Sequence, residues 1–280
     1  MIRPPLLPAA LLAAALLASL ANPAQAATPP VEPLWELMLG AGAASTPAYP
    51  GAREHASRAI LVPLFIYRGK IFRSDETGLG ARLLRTDKVE LDLGFAGSLP
   101  SRARDVAARE GMPDIGLGGE VGPRLTYHIT KPRPDSGLRL ELPLRAVLEV
   151  NHGVRHRGWI FEPKLVHKLR AASDVWSIET SAGFALGNRG VNRHFYEVRP
   201  EFVTPTRAAY EADAGLMFMR LGVSGAYRVN PDLLVFGFVR HDSLANAANR
   251  DSPLVKRNSG TSAGIALGWT LRRSSRPAEN

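Results

Sequence analysis

The side chains that can do chemistry are few and poorly spaced for it. His152 and His156 stand four apart with Arg155 and Arg157 beside them. At helical spacing such a pair could share a metal ion, but the segment reads as a turn between strands, and no carboxylate follows at ligand spacing. Ser252 carries a hydroxyl, yet a serine becomes a nucleophile only when an oriented histidine takes its proton. No histidine lies near it in sequence. His241, Asp242 and Ser243 are adjacent, but neighbours on a strand point to opposite faces, so His241 and Asp242 do not readily pair. A triad assembled from distant residues stays open at this point. The chain has no cysteine, which removes thiolate metal sites and cysteine catalysis. No catalytic, cofactor-binding or metal-binding residue is assigned, and the expectation is a protein without enzymatic activity or cofactor.

What the charged residues do have is a period of two. In 137–150, Leu138, Leu140, Leu142, Leu144, Ala146 and Leu148 share one face, with Arg139, Glu141, Pro143, Arg145 and Glu149 on the other. The same alternation runs through 35–43, 88–97, 114–127, 158–168, 174–186, 214–228 and 260–271. In 114–127 the apolar face includes Ile115, Leu117 and Leu125. Strands apolar on one side and charged on the other suit a barrel wall between lipid and a wet lumen, and equally a half-buried sheet in a sandwich. Inward charges such as Glu90, Asp92, Glu162, Lys164, Arg220 and Arg228 are expected to pair across strands and fill the lumen. Strands 58–68 and 232–243 are more apolar on both faces, and Pro63 counts against an ordinary central strand there. Trp35, Tyr67, Tyr127, Trp159, Trp176, Tyr227 and Trp269 stand at strand ends, where aromatics make an interfacial girdle in a membrane barrel.

Loop lengths separate the two architectures. With short strands at 70–74 and 77–84 the count is twelve, or ten if 70–84 is one strand or none. Connections 44–57, 75–76, 98–113, 151–157, 187–213 and 244–259 then alternate with short ones at 69, 85–87, 128–136, 169–173 and 229–231. That asymmetry, with an even strand number, predicts an all-β transmembrane antiparallel barrel of about twelve strands with both termini periplasmic. Arg3, the Leu/Ala run from Leu6 to Leu20 and Ala24-Gln25-Ala26 read as a cleaved signal peptide over 1–26, the run being short for a spanning helix. The barrel is then 27–271 and a polar C-terminal tail 272–280. The formal charge of +9, or +8 without Arg3, would suit nucleic acid in a cytosolic protein. Export excludes that partner and leaves outer-membrane lipid and lipopolysaccharide phosphates as counter-charges, with simple solvation as the alternative.

Several stretches resemble the MipA/OmpV family of outer-membrane proteins, the MltA-interacting proteins. They are Tyr49-Pro50-Gly51, Pro63 to Arg68, Arg109 to Asp114, Asn192 to Val198, Tyr210-Glu211-Ala212 and Leu244 to Val255. The last, with its Ser252-Pro253-Leu254-Val255 close before the final strand, is the most specific. Departures are Glu197, where the family pattern has glycine, and a chain that runs past the last strand as Arg272 to Asn280. The resemblance spans roughly 33–271 and implies an outer-membrane location in the Gram-negative envelope. It also implies a scaffold role linking a lytic transglycosylase, which is a murein hydrolase, to a peptidoglycan synthase. The alternative from the residues is a narrow channel or solute-binding porin.

Overall fold

The computed structural model describes residues 32–75, 78–98, 100–130, 135–150 and 153–278, so the expected signal peptide and His152 lie outside the described residues. The strands are β1 (Trp35–Pro47), β2 (His55–Arg68), β3 (Phe72–Asp75), β4 (Gly78–Arg85), β5 (Val89–Ser98), β6 (Leu117–His128) and β7 (Ser136–Val150). There follow β8 (Val154–Phe161), β9 (Lys164–Arg170), β10 (Trp176–Gly187), a helix α1 (Arg189–Tyr196), β11 (Gly215–Asn230), β12 (Leu233–Ser243) and β13 (Ser259–Arg273).

Every strand but β8 pairs antiparallel with the next, and β13 returns to β1 with Ala43 opposite Ile265 and Ala41 opposite Leu267. The ring is closed. β8 and β9 both lie between β7 and β10, so they are one stave, interrupted at Glu162-Pro163, where proline supplies no N–H to the ladder. The result is a closed barrel of twelve staves, the number that the alternation predicts. Expected strand 158–168 is that interrupted stave, and 70–84 is a hairpin, β3 and β4.

The alternation sorts the two faces. Leu61, Leu144, Leu221 and Ile265 point outward, Leu221 and Ile265 with more than 60% of their surface bare. An apolar coat running around the ring exceeds anything a water-facing monomer exposes; its solvent is hydrocarbon. At the short-turn end the coat finishes in outward aromatics: Trp35 opposite Tyr67, Trp176 opposite Tyr227, and Trp269 opposite Leu233. Trp35 also stacks on Phe65 at 6.1 Å. Amphipathic rings at that level form the interfacial girdle.

Two local readings change. Ile115, expected on the lipid face of strand 114–127, is buried away from it: Ser101 and Ile115 exchange backbone hydrogen bonds, peeling the chain off the wall before β6 begins. Pro63 does sit within a barrel strand. It is tolerated because β2 is bonded along its whole length to β1 but to β3 only through Tyr67 and Arg68. At the height of Pro63 the other edge of β2 has no ladder partner among the described residues. At the C-terminus β13 ends at Arg273, and the chain beyond it lies along the start, Ala278 bonding Glu32 and Pro33 bridging Pro277.

Putting charge on the coat tests the lipid-facing assignment. Ile265→Arg, near the middle of β13, is expected to destabilise the barrel by about 2–4 kcal/mol in reversible unfolding from lipid vesicles. Arg substituted at lumen-facing Ser262 is expected to cost far less.

Candidate functional site

The long connections do not hang free. Those after β1, β5, β10 and β12 leave the ring at well-separated points, the first three a third of the circumference apart. They meet in two buried clusters, one holding Tyr49, Val106, Ile115, Val198 and Leu254, the other Val191, Tyr196, Met217, Phe218 and Leu244. Loops rooted that far apart can touch only by crossing the mouth, so the barrel is roofed at its long-loop end.

Polar bonds fix the roof. The Tyr49 hydroxyl donates to the Leu254 carbonyl at 2.6 Å, and the Ser252 hydroxyl to the Tyr196 carbonyl at 2.7 Å. Arg109 lies over the Tyr49 ring and donates to the carbonyls of Phe195 and Pro113. Arg207 donates to the carbonyls of Phe202, Ala108 and Glu110 at 2.9–3.0 Å. α1 starts at Asn188, whose side chain accepts from the Val191 N–H. It rests against Gly158 of β8, where the backbone φ is +137° and a Cβ would lie 2.2 Å from the Asn188 Oδ1. Only glycine satisfies both conditions. From the wall, Glu149 accepts from the Gly116 N–H at 2.6 Å, pairs with Arg157 and stands 4.0 Å from His194 of α1. It thereby ties the wall to two roof segments.

Burial tunes the roof's titrating groups. The Tyr49 phenol is pushed up to about 12 by loss of water, against the pull of Arg109. His194 is pushed down to about 4, chiefly by burial, with Arg157 and Arg109 adding repulsion and Glu149 opposing.

Below the roof the lumen wall from β4 round to β12 is ion-paired. Glu120, Arg145, Glu162, Arg220 and Asp242 form one chain at 3.0, 3.5, 2.6 and 2.7 Å, reaching from β6 to β12. Glu162 sits in the β8–β9 break. Opposite the break on β10 stands Gly183, where a Cβ would strike the Pro163 carbonyl, so no side chain there separates Glu162 from Arg220. Arg139 bonds Glu141 and Glu179, Lys164 joins Glu141, and Arg82 and Arg124 hold Glu90 and Asp92. Their attraction is largely offset by the cost of taking the charges out of water, so the network adds little net stability.

The residues weighed for catalysis do not assemble. Ser252 is buried in the roof, its hydroxyl donating to one backbone group and accepting from the Leu254 N–H. His241 is on the outer face, 3.0 Å from the Thr261 hydroxyl, whereas Asp242 is inside on Arg220. His156 is exposed, edge-on to Trp159. Among the described residues no three of His, Asp and Glu are grouped to hold a metal ion. Residue reasoning missed Arg207 as a roof part, since nothing local marks an arginine that will cap distant carbonyls, and it gave His194 no role of its own within the Asn192–Val198 stretch. The stretches that carry the family resemblance supplied most of the others.

The depressed His194 sets a pH dependence. Its neutral form contributes stability that is complete above pH 6.5, where the unfolded imidazole is also neutral, and that is lost as pH falls toward 4. Wild-type barrel is expected to lose thermal stability across that window more steeply than His194→Gln, read from unfolding temperatures in detergent at matched pH. Arg207→Ala, leaving three carbonyls short, should cost about 1–3 kcal/mol for each carbonyl left unsatisfied and open the roof to protease.

Solved structures similar to the chain include the NanC porin (8% identity, 84% of this chain and 100% of that one, TM-score 0.38). An outer membrane channel from Pseudomonas putida F1 (10%, 90% and 100%, 0.40) and outer membrane phospholipase A from Escherichia coli (10%, 85% and 94%, 0.35) are similar to a like extent. At such identities and scores these likenesses carry no argument about activity. No curated protein matches the chain. The family model described as "MltA-interacting protein MipA" matches residues 39–271, from β1 to β13 and through every roof segment. A barrel with a lipid-facing coat and a match over that span make this chain an outer-membrane β-barrel protein that belongs to the family of the MltA-interacting protein MipA.

Proposed function

We propose that this protein is a non-conducting, non-enzymatic interaction barrel of the envelope, a scaffold on which periplasmic murein enzymes assemble. The observation that carries the reading is the roof: the mouth is crossed by segments with buried cores and held by bonds from Arg109, Arg207, Tyr49 and Ser252. A pore selecting solutes needs a path at that level, and a packed roof removes it. Surface for partners then remains at the opposite, short-turn end, where the chain termini also lie. With both termini periplasmic, that end faces the cell wall. The family description names an interaction with MltA; carried to this chain, the partner is a lytic transglycosylase, with a peptidoglycan synthase joined through it.

The competing reading, a narrow channel or solute-binding porin, draws on the charged lumen wall. Planar-bilayer recording separates the two. The expected result is no discrete conductance steps, and steps of uniform size from the purified barrel would sink the scaffold reading. Photocrosslinkers at Asp232 and at Arg276 are expected to capture a murein enzyme in whole cells. Recovery of none from either position removes that partner.

A further inference from the structure

One part of the lumen is unlike the ion-paired wall. Over the middle of β12, β13, β1 and β2, between Arg240 and Asp242 above and the Glu36–Arg68 pair below, the inward side chains are apolar or absent: Phe236 and Phe238, then Gly264 and Ala266, then Gly40 and Gly42, then Ile60, Val62 and Leu64. The middle two strands carry small residues and the outer two carry large ones, so the wall is a trough with two ridges. The ridges lean inward: a Cβ on Gly40 would strike Leu64, and one on Gly264 would strike Phe238. They are nevertheless bare to the lumen, with Ile60 44%, Leu64 42% and Phe236 41% exposed. Large apolar groups bare to water inside a barrel mark a binding surface rather than a core.

A second observation says what reaches it. Above Tyr67 the free edge of β2 faces a notch, because β3 and β4 are too short to cover it. The Ser74 hydroxyl on the Phe65 carbonyl and Arg58 on the Pro100 carbonyl reach across the gap. The notch joins the outer apolar coat to the trough along one strand, which explains why β2 is apolar on both faces. Its apolar lining suits an alkyl chain, whereas a hydrated solute would have to shed water there without a partner to replace it.

A third observation supplies a head-group partner. Arg240 points into the lumen from β12 directly above Phe238, over whose ring it lies at 5.2 Å, and its buried Nε has no hydrogen-bond partner. The carboxylate beside it on the strand, Asp242, is already held by Arg220 through two bonds. From Arg240 to Leu234 is six residues of strand, about 20 Å, the length of a long acyl chain.

We propose that the trough is a binding site for a single-chain anionic amphiphile of the long-chain fatty-acid class, which enters from the bilayer through the notch beside β2 and sets its carboxylate on Arg240. The site lies below the roof and independent of any periplasmic partner, so it stands or falls apart from the scaffold reading.

Native mass spectrometry of the full barrel released from phosphatidylcholine nanodiscs doped with oleate tests it. Wild type is expected to retain one oleate. Ala266→Phe, filling the trough floor, should abolish retention, and Arg240→Gln should weaken it about tenfold or more while leaving retention of oleyl alcohol intact. Heat-modifiable gel migration checks that each variant is folded, and Val62→Trp replaces Ala266→Phe if that variant is not. Oleate retained equally by the filled variant would place it on the outer coat and overturn the proposal, as would phospholipid alone or no lipid on the wild type.

Discussion

Backbone in hydrocarbon has no water to bond, so every N–H and C=O in a lipid-facing wall must find its partner within the wall. The β1–β13 seam meets that constraint here, and the other features are arranged around it. Closing the ring commits each strand to one face in lipid and one face in the lumen, which is why a period of two persists wherever the wall is complete. The interruptions are placed where the constraint is relaxed. Pro163 breaks a stave that its neighbours β7 and β10 still hold on both sides, and Pro63 lies beside an edge with no ladder partner among the described residues.

Strands, their pairing order and the in–out sorting were legible from the sequence because each is a local, periodic property. The strand boundaries at 88–97, 137–150 and 232–243 fall within a residue or so of β5, β7 and β12. The roof was not legible as a structure. Its bonds join residues such as Tyr49 and Leu254, or Arg207 and Ala108, that are far apart in the chain, and no periodicity reports on such contacts. Ile115 shows the failure directly: its type and parity fit a strand, and a single pair of backbone bonds to Ser101 takes it elsewhere. The family-like stretches pointed at the right residues without saying that they would meet.

Charge and apolar surface divide the lumen between them. Where the strands carry paired ions, the cross-section is held by bonds with angular preference, and Arg220 joins two carboxylates from different staves at once. Where the strands carry glycine and alanine, the wall is thin and its side chains lie flat. A barrel with a wide, stiff polar arc and a narrower apolar arc can keep its shape while something occupies the apolar side. The roof, anchored to the stiff arc through Glu149, Arg157 and α1, does not depend on what that side contains.

The seam itself has a temporal meaning. Residues 36–45 meet residues 263–273, so the last bonds to form join the first strand made to the last. Loop-closure entropy makes such a contact slow compared with the hairpins between them. Until it forms, β1 and β13 each present a bare edge, and the chain is a curled sheet that can still take on a foreign strand. Assembly of this protein is therefore a race between its own two ends and any other strand within reach. The extra bonds from Leu34 to Arg276 and from Ala278 to Glu32 lengthen the side on which its own ends win.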